Sequence, residues 1–199
     1  QLSEFSDQLL TLMKGLKIDN CALVGFSLGG LIVQDFTLKY PKKVKALAIL
    51  NTAHGRTNLE RKAILLRAQQ AHEYGTESTV EAALDRWFSN DFKFKNPKII
   101  QKIRSWILIN DEYIYPKIYQ LLAESDKELK YSISSIKCPT MVMTGEEDHA
   151  NSPEMAKRMA TLIPNSRLSI IPGLRHMGLV ENPKAYNFKL LSFLQEVLK

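Results

Sequence analysis

The sequence predicts an α/β fold in which helices cover both faces of a parallel sheet. Four short apolar runs are typical of buried strands: 21–25, 44–50, 140–145 and 167–171. Helical stretches separate them, one from Leu28 to Tyr40 and another that opens at Ser152-Pro153, a capping serine followed by a first-turn proline. Because neighbouring strands joined through a crossover helix run parallel, this alternation favours a parallel sheet.

Helices are also predicted at both ends of the chain. In residues 2–15, apolar side chains recur at helical spacing, namely Phe5, Leu9, Leu12 and Met13, and Gly15 is suited to end the helix. The last helix opens at Asn182-Pro183. Its predicted apolar stripe contains Ala185, Phe188, Leu191, Phe193 or Leu194, and Val197.

Residues 55–131 interrupt the alternation of strands and helices. They carry mixed charge and helical periodicity, with no run typical of a buried strand. Four helices are predicted there: around Ala63–Ala68, Val80–Phe88, Ile99–Ile109 and Tyr115–Leu122. The sequence therefore predicts a core made of residues 1–54 and 132–199, with a helical lid inserted at 55–131.

The composition is that of an ordinary globular domain. The 199 residues are 45% hydrophobic and 24% charged, which excludes wholesale disorder. The net charge is +6, but basic residues are scattered among acidic ones, so no nucleic-acid or membrane partner is predicted. The densest basic cluster surrounds Pro41, and a solvated connection explains it better than a phosphate site: Lys39, Lys42, Lys43 and Lys45.

Two cysteines, Cys21 and Cys138, are too few for a disulfide framework, and each lies beside an apolar run. Both are predicted to be small buried hydrophobes. The chain opens without a basic segment followed by an apolar core, so we predict a cytoplasmic location. It also opens without Met, which suggests either a start inside a longer reading frame or processing of the chain.

The strongest chemical signal is a G-x-S-x-G pattern at residues 25–29, directly after a strand and before a helix. This context is typical of a nucleophile elbow, in which a strained turn presents the Ser27 hydroxyl above the sheet. We expect side chains at Gly25 or Gly29 to collide with neighbours. The N–H of Leu28, at the start of the helix, is the expected oxyanion donor. The motif alone leaves open a glycine-rich turn with an incidental serine.

A serine nucleophile needs a base, and the chain has four histidines. His176 lies in the loop after the fourth strand, at the strand end where parallel sheets gather their chemistry, and is the predicted base. His54 follows the second strand; a surface position is favoured over a substrate contact. His72 is predicted to be a solvated helix residue, and His149 a loop residue.

The imidazole needs an orienting carboxylate, and an acidic run follows the third strand. Asp148 is preferred within that run because it lies in the turn before the next helix, whereas the end of the second strand offers only Asn51-Thr52. The predicted order is Ser27, Asp148, His176, which is the order of the α/β-hydrolases.

The chain resembles the α/β-hydrolase superfamily, and within it the 3-oxoadipate enol-lactonases. Five stretches carry the resemblance: Val24–Gly30, Leu50–Ala53, Asp85–Phe88, Gly145–Asp148 and His176–Pro183. The resemblance implies a serine hydrolase that cleaves a carboxylic ester or an enol-lactone through an acyl-enzyme, with a small-molecule substrate and without metal or organic cofactor. Trp87, Trp106 and Met177 are expected substrate contacts, and for the tryptophans core packing is an equal alternative.

Two features depart from the family pattern. Leu174-Arg175 stands where small residues are usual, and Arg175 is expected to alter the charge around His176. The family also has strands before the elbow and a second oxyanion donor after one of them. We therefore expect an N-terminally incomplete enzyme whose Ser27 strand has an open edge.

Three other functions remain open. The same triad could cleave a carbon–carbon bond, as in meta-cleavage-product hydrolases, and peracid chemistry also occurs in the superfamily. A non-catalytic ligand binder is the alternative from a different class. If the substrate is an anionic lactone, basic residues of the inserted segment such as Arg86 are expected to attract it.

Overall fold

A computed structural model describes residues 1–199. Its centre is a four-stranded parallel sheet in the order β1-β2-β3-β4. The strands are β1 (Cys21–Phe26), β2 (Val44–Leu50), β3 (Thr140–Gly145) and β4 (Ser166–Ile171). The parallel sheet and the α/β fold class are confirmed. The strand β1 pairs with β2 alone, and Val24 on it is 45% exposed.

Ten α-helices accompany the sheet. Five belong to the strand–helix alternation: α1 (Leu2–Gly15), α2 (Leu28–Lys39), α8 (Pro153–Leu162), α9 (Gly178–Glu181) and α10 (Pro183–Val197). The other five lie between β2 and β3: α3 (Asn58–Tyr74), α4 (Glu77–Trp87), α5 (Asn90–Lys95), α6 (Pro97–Leu108) and α7 (Ile114–Leu129). The structure thus adds α5 and α9 to the predicted helices, and these two are the shortest. None of the ten is both long and apolar enough to cross a bilayer.

The sheet packs against helices on both faces because its side chains alternate. On β2, Leu47 and Ile49 face a core shared with α1, α2 and α8, whereas Ala46, Ala48 and Leu50 face α10. Because the faces of the sheet are buried, polar side chains can gather only where the strands end, and in a parallel sheet the functional edge is at their carboxyl ends.

The predicted apolar stripes of the terminal helices are partly wrong. Phe188 and Leu191 of α10 are 69% and 56% exposed, and Leu12 of α1 is 56% exposed. The other predicted positions, Ala185, Phe193, Leu194 and Val197, do pack on the sheet side of α10, and Tyr186, which the prediction left out, joins them. Apolar residues on both faces of α10 make the two faces hard to distinguish from the sequence.

The cysteines and three of the histidines can also be placed. Cys21 and Cys138 are unpaired, half-buried and packed against the core, and burial raises the pKa of both thiols. His72 and His149 are exposed, as expected. His54 is 2% exposed, so the predicted surface position is wrong. Arg158 of α8 donates to the His54 carbonyl (3.1 Å), so this loop lies against α8.

Candidate active site

Ser27 is held in a strained turn between β1 and α2. Its backbone has φ 53° and ψ −115°, a conformation that side chains rarely adopt. Three hydrogen bonds fix the turn: the Ser27 N–H donates to the Leu50 carbonyl (2.9 Å), and the Ser27 carbonyl accepts from the Gly30 N–H (3.0 Å) and from Thr52 Oγ1 (3.0 Å). The neighbouring strand β2 therefore determines where the Ser27 hydroxyl lies.

Close packing around the turn requires glycine at two positions. A Cβ at Gly25 would meet the Gly29 carbonyl and approach Val33 Cγ2 to 2.6 Å, and a Cβ at Gly30 would collide with Thr52. A Cβ at Gly29 would meet nothing within 4 Å, so the expected collision there is wrong. Gly29 lies in the first turn of α2, where a Cβ would have open space.

The structure brings the three predicted triad residues together. His176 Nε2 lies 3.2 Å from Ser27 Oγ, and His176 Nδ1 lies 2.9 Å from Asp148 Oδ2. Asp148 is fully buried and His176 is 4% exposed. The three side chains come from the carboxyl ends of β1, β3 and β4, which lie at one edge of the sheet.

Asp148 is a buried carboxylate whose two oxygens both accept hydrogen bonds. Oδ1 accepts from the backbone N–H groups of Ala150 (3.0 Å) and Asn151 (2.9 Å), and Oδ2 accepts from Asn51 Nδ2 (3.0 Å). Burial acts to raise the pKa of Asp148, but the attraction of His176 and these hydrogen bonds outweigh it, so the pKa lies below its usual value. The carboxylate stays ionised and can hold the imidazole in one orientation.

Asn51 is a positioning residue that the sequence did not reveal. It follows β2, adopts a left-handed φ of 49°, and its Oδ1 accepts a hydrogen bond from the Tyr186 hydroxyl (2.8 Å). Its amide group therefore connects α10 to Asp148. The sequence shows that this strand end carries no carboxylate, but it does not show that the Asn51 amide contacts Asp148 and Tyr186.

A cavity of about 320 Å³ opens over Ser27 and His176. Helices α3, α4 and α7 form its walls, and three arginines line it: Arg56, Arg67 and Arg86. Asp126 pairs with two buried arginines: Arg61 Nη1 donates to Oδ1 (2.7 Å), and Arg56 Nη1 lies 3.6 Å from the same oxygen. The backbone N–H of Arg56 also donates to Asp126 Oδ2 (2.8 Å). This buried network holds the β2–α3 loop against α7.

The three expected substrate contacts lie beside the same serine. A second cavity of about 330 Å³ also touches Ser27 and His176, and Trp87, Trp106 and Met177 line it. Trp87 lines both cavities, and its ring centroid is 6.2 Å from that of His176. Trp106 is 54% exposed, at the mouth.

Arg175 points away from His176. Its guanidinium donates to the carbonyls of Asp85 (2.8 Å) and Phe88 (3.0 Å), at the end of α4, and lies 3.7 Å from Glu147. The residue thus fastens the inserted helices to the His176 loop. Within the chain, no group of three or more His, Cys, Asp or Glu side chains is placed to hold a metal ion.

Comparison with known proteins places this geometry in a family. The model of a hydrolase family described as serine aminopeptidase, S33, matches residues 2–183. The chain belongs to this family of α/β-hydrolases. Among curated proteins, it is 27% identical over 195 residues to (E)-2-((N-methylformamido)methylene)succinate hydrolase of Acinetobacter baylyi, covering 98% of this chain and 73% of that protein.

A further relative is similar in sequence, and a solved structure is similar in fold. The chain is 25% identical over 187 residues to 3-oxoadipate enol-lactonase 2 of Acinetobacter baylyi, covering 94% of this chain and 68% of the relative. The solved enol-lactonase of Burkholderia xenovorans superposes with a TM-score of 0.90 at 24% identity, covering 98% of this chain and 73% of that one. The resemblance to the α/β-hydrolases is confirmed.

The packing at the turn yields a paired prediction. Gly25→Ala is expected to lower the free energy of unfolding by about 2–3 kcal/mol, because the added Cβ is forced against backbone and Val33. Gly29→Ala, the matched control, is expected to leave it unchanged or raise it by up to about 1 kcal/mol. Urea unfolding followed by circular dichroism measures both. Equal losses in the two variants would refute the assigned packing.

A second prediction concerns the buried network behind the cavity. Asp126→Asn leaves the buried Arg56 and Arg61 without their counter-ion, and we expect a loss of about 3–5 kcal/mol of unfolding free energy. Glu124→Gln on the same helix removes only an exposed pair with Lys127 and should cost less than about 1 kcal/mol. A loss below 1 kcal/mol for Asp126→Asn would contradict this role.

Proposed function

We propose that this chain is a serine hydrolase that cleaves a carboxylic ester or a lactone through an acyl-enzyme on Ser27. The observation that carries the proposal is the unbroken hydrogen-bonded line from Ser27 Oγ through His176 to the buried Asp148. A hydroxyl, an imidazole and a carboxylate in this order are the arrangement that activates serine.

The first step transfers a proton and forms a bond. Ser27 Oγ attacks the carbonyl carbon while His176 Nε2 takes the hydroxyl proton, and Asp148 stabilises the imidazolium that results. Leu28 is the first residue of α2, so its N–H has no acceptor within the helix. This N–H is the proposed donor to the oxyanion of the tetrahedral intermediate.

The second step regenerates the enzyme. The tetrahedral intermediate expels the alcohol or enol oxygen, which takes the proton from His176, and Ser27 remains acylated. His176 then removes a proton from water, and the water oxygen attacks the acyl carbonyl to form a second tetrahedral intermediate. This intermediate breaks its bond to Ser27 Oγ, which takes the proton back from His176, and the acid is released. Helices α3–α7 are proposed to act as the lid that shapes the cavity and limits access of water.

The cavity favours a substrate that carries a carboxylate. Arg67 and Arg86 line it without a salt bridge to any carboxylate of the chain, and Arg86 Nε is buried without a hydrogen-bond partner. Burial and the charge of Arg86 lower the pKa of Arg67. The one acidic residue of the lining, Glu60, already caps α3 through Thr57 N (2.6 Å). Two unpaired, partly buried cations are stabilised by an anion between them.

The relatives are consistent with this substrate class. One is named as the hydrolase of a succinate, and another as a 3-oxoadipate enol-lactonase. We propose that this chain acts on an ester or lactone of a dicarboxylic acid, with the free carboxylate held by Arg67 and Arg86. Among the expected contacts, Trp87, Trp106 and Met177 would meet the apolar part of the substrate.

The nucleophile is tested by covalent labelling. A fluorophosphonate probe should label the wild-type chain, and Ser27→Ala should abolish both labelling and ester hydrolysis. Ser89→Ala is the matched control, because Ser89 caps α5 and lies outside both cavities; it should label normally. Failure of the wild-type chain to be labelled would favour a non-catalytic ligand binder. Cleavage of a carbon–carbon bond without cleavage of an ester would favour a hydrolase of the meta-cleavage-product type.

The anion site is tested by comparing charged and neutral substrates. Arg86→Gln should raise KM for a half-ester of a dicarboxylic acid about 10-fold or more, because a charge-assisted hydrogen bond contributes about 1.5–3 kcal/mol. KM for a neutral diester of the same length should change less than about 2-fold. Arg104→Gln, which breaks an exposed pair with Glu81, is the control. Equal effects on both substrates would contradict the assignment.

A further inference from the structure

We propose that a second groove, between the β2–α3 loop and helix α8, is a binding site for a phosphorylated small molecule. The groove encloses about 630 Å³. Its lining contains a histidine, two lysines, an arginine and two threonines, and it contains no acidic residue. The basic residues are His54, Lys130, Lys157 and Arg158.

The groove is separate from the cavities over Ser27. It shares no lining residue with either of them. The loop after β2 lies between the two: His54, Gly55 and Thr57 line the second groove, whereas Arg56 lines the cavity over Ser27. Binding in the groove and turnover at Ser27 can therefore be measured independently.

The cations of the groove are only weakly compensated. Lys130 has no salt bridge, and its Nζ lies 5.1 Å from the ring centroid of Tyr131. Lys157 has one exposed partner, Glu154, at 3.6 Å, and exposed pairs of this kind contribute little. Arg158 Nη2 donates to the His54 carbonyl (3.1 Å) and forms no ion pair. Three positively charged side chains thus line one groove that has no carboxylate in its lining, which favours a multiply charged anion.

His54 adds a neutral donor to the groove. The residue is 2% exposed and lines the groove, and its ring forms no hydrogen bond within the chain. Burial lowers the pKa of His54 to about 4, an effect that Arg158 and Lys130 reinforce and Asp126 opposes. The ring is therefore neutral at pH 7, and its single N–H is available to donate to an oxyanion in the groove.

The donors fit a phosphate group better than a planar carboxylate. Lysine ammonium groups act as point charges suited to phosphate, and the Thr57 and Thr161 hydroxyls add neutral donors around them. The groove is larger than a single phosphate requires, which leaves space for the rest of a small molecule beside the exposed Tyr131 ring. Inorganic phosphate and pyrophosphate are suitable probes of this chemistry.

The test is isothermal titration of the whole chain with pyrophosphate at fixed ionic strength. We expect binding with a dissociation constant below about 1 mM, and the double variant K130Q/K157Q should weaken it at least 10-fold. The exposed pair in K42Q/K45Q is the charge-matched control and should change binding less than 2-fold. The variant R67Q/R86Q tests whether pyrophosphate instead occupies the cavity over Ser27, and it too should bind normally.

Two further readouts separate binding from folding. K130Q/K157Q should keep wild-type ester hydrolysis within 2-fold, and the ring ¹⁵N resonances of His54 should shift with pyrophosphate in the wild type alone. The proposal would be overturned if the wild type did not bind pyrophosphate, or if K42Q/K45Q lost as much affinity as K130Q/K157Q. It would also be overturned if R67Q/R86Q lost affinity and K130Q/K157Q did not. Tighter binding of inorganic phosphate than of pyrophosphate would also overturn it, because the groove would then hold a lone ion.

Discussion

The structure of the site depends on a single buried charge, the carboxylate of Asp148. A carboxylate removed from water is costly unless its oxygens are filled with donors. Here His176, Asn51 and two backbone N–H groups supply them. These donors come from the loop after β4, from the end of β2 and from the turn after β3. Keeping Asp148 ionised therefore fixes the relative positions of three strand ends.

The parallel sheet makes this convergence geometrically simple. All four strands present their carboxyl ends at one edge, so residues that are more than a hundred positions apart become neighbours there. The Ser27 turn adds a second constraint, since its carbonyl and N–H are both bonded to the β2 segment. The strained backbone conformation of Ser27 directs its hydroxyl toward His176. Helices α3–α7 contribute the walls and the unpaired arginines, which set the proposed choice of substrate.

Local sequence signals were sufficient for the strands, for most helices and for the elbow. They were sufficient because apolar runs, capping serines and the G-x-S-x-G turn act over a few residues, and the order Ser27, Asp148, His176 then follows from topology. Tertiary contacts decide the rest. Whether Gly29 or Gly30 is packed depends on Thr52, whether His54 is buried depends on α8, and the role of Asn51 depends on Tyr186. The exposure of Phe188 shows the same limit, because both faces of α10 carry apolar residues.

A proton NMR spectrum of the resting chain, edited through the ring ¹⁵N of His176, tests whether Asp148 holds the imidazole. We expect a downfield, slowly exchanging proton on Nδ1, hydrogen-bonded to Asp148 Oδ2, that disappears in Asp148→Asn and persists in Ser27→Ala. A His176 ring whose Nδ1 proton exchanges freely with water, or whose resonance is indifferent to the loss of the Asp148 charge, would contradict it.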